Sequence, residues 1–222
     1  MNILVIGDPI NLEECKHKFG DQHAYTFEQD HREAERFVSR SDLVFDFILD
    51  EEPFQSEIYT EKEANVFLNT AKLSLAELFS LSDHKIKANL FGFNGLPTFV
   101  NRSVLEVSVL HPADVVNLKN LCDKLGTDFL LVEDRVGLVT PRIICMIINE
   151  AYYTVQEGTA SREDIDQAMK LGTNYPHGPF EWCGLIGIKH VYELLEAVYE
   201  DTHDERYKVC PLLKREYLMG SL

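Results

Sequence analysis

The chain has 222 residues, 45% of them hydrophobic and 26% charged, with 12 glycines, 8 prolines and 5 cysteines. That apolar fraction excludes a disordered or collagenous chain and leaves room for one large domain or two small ones. Lys and Arg number 21 against 37 Asp and Glu, a net charge of −16, and an acidic surface repels phosphate backbones, which argues against nucleic acid as a partner. Residues 1–134 carry 12 basic and 24 acidic side chains, residues 135–222 carry 9 and 13. No run approaches the roughly 18 consecutive apolar residues of a membrane span. The opening MNILVIGDPINLEECK lacks the basic first region of a signal peptide. Cys15, Cys122, Cys145, Cys183 and Cys210 are odd in number and form no C-x-x-C pair. That pattern suits reduced thiols in a cytoplasmic protein better than a disulfide frame or a metal site.

In chain order, the pattern predicts a strand over 3–6 ending at Gly7. Strands over 23–27 and 43–49 flank a short helix over 32–38. Strands over 66–68 and 88–93 are separated by the helical pattern Leu73, Leu75, Leu78, Phe79. A strand over 104–109, a helix over 113–125 closed by Gly126 and a strand over 128–132 complete the first half. Strands alternating with helices imply a mostly parallel, doubly wound α/β sheet, here with short helices. The character changes at Glu133-Asp134-Arg135. Ile143, Ile144, Ile147, Ile148, Ala151 and Val155 follow helical spacing as far as Gly158. Ser161 and Asp164 make a capping box for a helix over 163–171 that Gly172 ends. A third helix spans 180–199, interrupted near 184–187, and a fourth spans 207–217. The expectation is an α/β domain over 1–134 followed by an all-α domain over 135–222.

The stretch GTASREDIDQAMKLG from Gly158 to Gly172, followed by Tyr175-Pro176-His177-Gly178-Pro179-Phe180-Glu181, resembles the C-terminal domain of the 3-hydroxyacyl-CoA dehydrogenase family over residues 137–218. The first half is similar to the family's NAD-binding domain. Asn2–Gly7 sits at its first strand and dinucleotide turn, and Asn69-Thr70 resembles its N-T-S-S-L. Leu90-Phe91-Gly92-Phe93-Asn94-Gly95 resembles L-H-F-F-N-P, and Val104-Leu105-Glu106-Val107 resembles L-V-E-V. The resemblance implies a reduced Rossmann-like sheet, and a helical domain that forms a dimer interface and closes one side of an acyl-CoA cleft.

Hydride transfer in this family needs NAD, a base and groups that orient it. The family's turn is G-x-G-x-x-G, so that a pyrophosphate can approach backbone amides. Here it reads Gly7-Asp8-Pro9-Ile10-Asn11-Leu12. Only the first glycine remains, Pro9 has no N–H, Asp8 is anionic and Leu12 is bulky. An acidic group for the ribose belongs about 20 residues on. Glu28 and Asp30 stand there, and both also read as solvated helix-start residues. The family's histidine base aligns with Phe91, its serine with Ala71 and the asparagine of G-F-I-V-N-R with Pro141. Asn94 matches the asparagine of its motif, and Glu106 matches the carboxylate that orients the histidine, after three extra residues. His84, His111 and His177 are the histidines considered as substitutes, each also readable as structural. A long helical excursion that helps to bind CoA in the family is replaced by residues 28–41. Arg32, Arg36 and Arg40 share one face there, to meet CoA phosphates or water.

The helix over 143–155 is apolar on more than one face, and about 85 residues make a small core alone, so a twofold dimer is expected. The expectation is a 3-hydroxyacyl-CoA dehydrogenase-family protein of acyl-CoA metabolism without conventional NAD-dependent turnover: a pseudoenzyme that binds acyl-CoA, or a homo- or heterodimerisation partner. Two alternatives stand beside it, an active NAD-dependent 3-hydroxybutyryl-CoA dehydrogenase with a divergent site and a purely structural dimer. Asn94 and Glu106 are the surviving catalytic matches and Gly7 the surviving cofactor match. No cofactor is expected unless the active reading holds, in which case it is NAD; no metal or membrane is expected.

Overall fold

Strand β1 (Asn2–Ile6) has four consecutive residues, Ile3 to Ile6, with no solvent exposure, as a strand covered on both faces requires. The computed structural model describes residues 1–80 and 86–220, in two compact units, Met1–Leu138 and Val139–Leu222. The first is a seven-stranded sheet in the order β2-β1-β3-β4-β5-β6-β7. Strands β2 (Ala24–Glu28), β1, β3 (Leu43–Asp46), β4 (Asn65–Asn69) and β5 (Asn89–Phe93) run parallel. β6 (Val104–Val109) lies antiparallel to β5, and β7 (Asp128–Leu131) is parallel to β6. The expected doubly wound, Rossmann-like sheet is thus present in mixed form.

Alternate side chains line two cores. Ile3, Val5, Phe45, Phe67, Phe91, Phe93 and Val107 meet Cys15 and Phe19 of α1 (Pro9–Phe19) and Leu118, Leu121 and Leu125 of α5 (Val115–Leu125). Leu4, Ile6, Val44, Val66, Leu68 and Leu90 meet α2 (His31–Val38), Tyr59 of α3 (Glu57–Thr60), and Leu75 and Phe79 of α4 (Leu75–Phe79). Gly137 N–H still donates to the Ala71 carbonyl at 3.0 Å, which keeps the chain with the first unit as far as Leu138.

The second unit is helical: α6 (Thr140–Gln156), α7 (Arg162–Thr173), α8 (Pro179–Ile186), α9 (Ile188–Thr202) and α10 (Pro211–Gly220). α6 packs on α8 and α9, burying Ile144, Cys145, Ile148 and Tyr152 along with Trp182, Leu194 and Leu195.

Several expected boundaries move for local reasons. The strand over 43–49 stops at Asp46, whose Oδ1 accepts the Ile48 amide at 3.1 Å and turns the chain. The helix over 163–171 runs through Gly172 and ends at Asn174, which takes the left-handed conformation at φ 57°. The interruption expected near 184–187 in the span 180–199 falls at Gly187, φ 93°, and separates two helices. The helix expected over 207–217 begins at Pro211, because proline fits only a helix's first turn. α1 escaped sequence reading because its residues Glu13-Glu14-Cys15-Lys16-His17-Lys18 hide the apolar period.

Phe45 is the hub of the first core, stacked on Phe19 at 5.1 Å and Phe67 at 4.9 Å, with Phe93 edge-on at 5.6 Å. Phe45→Ala should cost about 3–5 kcal/mol, read as a lower urea midpoint with an unchanged slope.

Candidate functional site

In a doubly wound sheet a ligand sits at the carboxyl ends of the strands, where the strand order reverses. Here that point lies between β1 and β3, and Gly7 is its corner. Gly7 adopts φ 154°, and a Cβ there would lie 2.5 Å from Asn11 Oδ1 and 3.0 Å from Phe47 Cβ. Its glycine is required by the chain's own packing. Asn11 is buried and turns back, so that Oδ1 accepts the Asp8 amide at 2.8 Å while its own amide donates to the Asp8 carbonyl at 2.9 Å. A side-chain oxygen thus stands on a turn amide that could otherwise meet an anion. Pro9, the first helical residue, offers none.

The next two strand ends are tied in the same manner. Buried Asn69 donates from Nδ2 to the Phe47 carbonyl at 3.1 Å. Its Oδ1 accepts the amides of Ala71 at 3.3 Å and Gly95 at 3.0 Å, so one side chain links the ends of β3, β4 and β5. Asn94, also buried, accepts the Leu96 amide at 3.2 Å in its own turn. The three extra residues before Glu106 fall in a loop pinned to α1. Glu14 accepts the Thr98 amide at 3.0 Å, and His17 Nδ1 lies 3.1 Å from Asn101 Oδ1.

Phe91 and Glu106 point to opposite faces of the sheet. β5–β6 pairing sets Phe91 opposite Val109 and Gly92 opposite Ser108. Phe91 is fully buried in the aromatic core, 5.0 Å from Phe67. Glu106 is on the Ser108 face, two residues away on the same strand, with Arg102 near enough to feel its charge. Gly92, not Phe91, shares that face. A Cβ at Gly92 would lie 2.3 Å from Ser108 Oγ and 2.5 Å from Thr70 Oγ1, so no larger side chain fits there unless they move.

The remaining sequence candidates have local partners. Asp30 caps α2 through the Glu33 amide at 2.8 Å, and Glu28 lies 3.6 Å from Arg36. Arg36 also pairs with Glu33 at 3.0 Å, and Arg32 and Arg40 are exposed. His111 is exposed at the start of a short 3-10 turn, and the His177 ring is 5.9 Å from that of Trp182. His84 lies outside the described residues. Sequence reading missed two buried charged groups. Asp50 faces Lys72 at 3.3 Å, and burial pushes the Asp50 carboxyl up to about 6 although Lys72 pulls it down. His31 lies between Asp46 and Glu52. The available signal was Asp46 itself, a carboxylate closing an apolar strand.

In the second unit the D-I-D…G-P-F-E motif has a structural explanation. Asp166 accepts the Phe180 and Glu181 amides at 2.8 and 3.1 Å and so caps α8. A Cβ at Gly178 would strike Asp166 at 2.3 Å. Glu181 accepts the Gly178 amide at 3.0 Å and pairs with Lys170. Pro141, at the asparagine-aligned position, is buried in the first turn of α6.

Residues 137–222 match the family described as 3-hydroxyacyl-CoA dehydrogenase, C-terminal domain. The chain is 30% identical over 188 residues to the 3-hydroxybutyryl-CoA dehydrogenase of Bradyrhizobium diazoefficiens, covering 82% of this chain and 64% of that protein. Residues 137–222 belong to the 3-hydroxyacyl-CoA dehydrogenase family as its C-terminal domain. The 3-hydroxyadipyl-CoA dehydrogenase of Escherichia coli is 42% identical over 96 residues, 43% of this chain and 20% of that protein. The chain spans less than two thirds of either relative. The solved (S)-3-hydroxybutyryl-CoA dehydrogenase from Ralstonia eutropha superimposes with a TM-score of 0.71 over 99% of this chain and 94% of that one. At 20% identity that likeness is one of fold.

NAD, the cofactor implied by the family resemblance, does not fit the corner as built. The Asp8 amide is taken by Asn11, Pro9 lacks a donor, and Phe47 packs on Gly7. Phe91→His would bury an imidazole in the aromatic core, away from Glu106. It should destabilise the protein by about 3 kcal/mol or more and leave NADH oxidation with acetoacetyl-CoA at background, checked by urea unfolding and absorbance.

Proposed function

We propose that this chain is a pseudoenzyme of the 3-hydroxyacyl-CoA dehydrogenase family, acting in acyl-CoA and fatty-acid metabolism without conventional NAD-dependent turnover. It binds an acyl-CoA, or pairs through its helical unit with a copy of itself or an active dehydrogenase. The reading is carried by the self-capped corner at Gly7, where Asn11 engages the Asp8 amide at 2.8 Å. The glycine at 92 on Glu106's face supports it, since a base there would collide with Thr70 and Ser108. Its five cysteines are free and buried, in keeping with a cytoplasmic protein. Among the described residues no helix is long and apolar enough to cross a membrane.

A dimer through the second unit is supported by α6. Ile143 is 53% exposed, and beside it a groove of about 390 Å³ is lined by Met146, Ile147, Tyr207, Arg142, Arg206 and Glu150. Arginines and a glutamate rimming an apolar floor can complement themselves across a twofold axis. Ile143→Glu should turn a dimer into a monomer in sedimentation equilibrium while keeping its helical circular dichroism; an unchanged mass would remove this surface from the interface.

Isothermal titration tests the function. Acetoacetyl-CoA should give binding heat and NADH none, alone or with the thioester. Micromolar NADH binding would favour the second reading, an active dehydrogenase, which the names of the relatives support. Heat from neither ligand would leave a purely structural dimer.

A further inference from the structure

His31, the first residue of α2, is fully buried and has a carboxylate on each ring nitrogen. Nε2 is 2.8 Å from Asp46 Oδ2, and Nδ1 is 3.0 Å from Glu52 Oε2. An ionised carboxylate only accepts, so between two such carboxylates both ring nitrogens donate when the ring is protonated. The two arms differ. Asp46 is fully buried, and it also accepts the Tyr59 hydroxyl at 2.8 Å and the Ile48 amide at 3.1 Å. The Glu52 side chain is 52% exposed. Glu52 ends a tight turn whose Glu51 amide donates to the Ile48 carbonyl, and whose Glu52 amide donates to those of Ile48 and Leu49, at 3.0–3.2 Å. That turn follows directly on Phe47, the residue packed against Gly7.

We propose that His31, clasped between Asp46 and Glu52, is a proton-operated latch that holds the turn over 48–52 closed beside the Gly7–Phe47 corner. When the ring loses one proton it keeps a single N–H. The desolvated Asp46 holds that N–H, because an unpaired interior carboxylate is the costlier outcome. The Nδ1 lone pair then faces the Glu52 carboxylate. The two repel, and Glu52, the arm that already meets water, swings out and frees the turn.

The direction of the pH response follows from the surroundings. Burial lowers a histidine's proton affinity, but the hydrogen bonds and charges of Asp46 and Glu52 raise it more, so His31 titrates above the ordinary 6.5. The other groups bearing on the ring act indirectly: Tyr59 of α3 through its bond to Asp46, and Asp50 through its charge coupling to Asp46. On α2 itself, Arg32, Glu33, Glu35 and Arg36 are exposed, and Asp30 caps the Glu33 amide. Because the folded value lies above the unfolded one, the stabilisation is complete below 6.5 and is lost as pH climbs through the folded value. The latch is shut in acid and opens toward alkali.

The test is an NMR titration of the His31 ring together with amide hydrogen exchange across residues 48–56, in the wild type and in Glu52→Gln. The His31 midpoint should lie above 6.5, and protection of the Glu51 and Glu52 amides, corrected for intrinsic base catalysis, should fall with that same midpoint. Glu52→Gln, a change at the exposed arm, should lower the midpoint and abolish the linked step while α2 and β3 amides stay protected. A wild-type midpoint at or below 6.5, protection that ignores the His31 titration, or a linked step unchanged in Glu52→Gln would each overturn the proposal.

Discussion

The carboxyl edge of the sheet is governed by one constraint: buried backbone donors must find acceptors, and here the chain supplies them itself. Asn11 takes the amide of the turn after β1, Asn69 takes two amides beyond β4 and β5, and Asn94 takes one in the turn after β5. Three asparagines thus do the work that a phosphate or substrate oxygen does at an open edge. The glycines follow from this, since Gly7 and Gly95 lie so close to Asn11 and Asn69 that a Cβ would collide. In the first unit these asparagines tie the strand ends to one another through their own side chains.

The sheet's alternation decides the rest of the site. With residues pointing to opposite faces in turn, the aromatic layer of Phe45, Phe67, Phe91 and Phe93 fills one side completely. Glu106 and Ser108 belong to the other. Phe91 in the aromatic core and Gly92 on Glu106's side are therefore separate facts about two faces. The face that holds Glu106 is closed over Gly92 by two hydroxyls, that of Thr70 just past β4 and that of Ser108 in β6.

The helical unit matches the family's C-terminal domain, and its motif residues have structural work that does not depend on a cofactor. Asp166, Gly178 and Glu181 form a capping arrangement for α8, and Arg162 lies over the Tyr152 and Phe180 rings while pairing with Glu216. Losing any of these costs folding free energy directly. The dinucleotide turn carries no such penalty, since a polar side chain can satisfy its donors.

Sequence by itself determined the order of the strands along the chain, the all-α second half, the altered turn at Gly7-Asp8-Pro9 and the absence of histidine at Phe91, because these rest on local pattern and residue identity. It could not determine that Asn11 turns back onto Asp8, that Phe91 and Glu106 face apart, or that α1 is a helix beneath its charged residues. Those depend on register and on groups distant in the chain. His31, Asp46, Glu52 and Tyr59 are separated by up to 28 positions, and nothing in their spacing announces a cluster. Only packing α2 and α3 on the end of β3 brings them within hydrogen-bonding distance, and only burial makes their charges depend on one another.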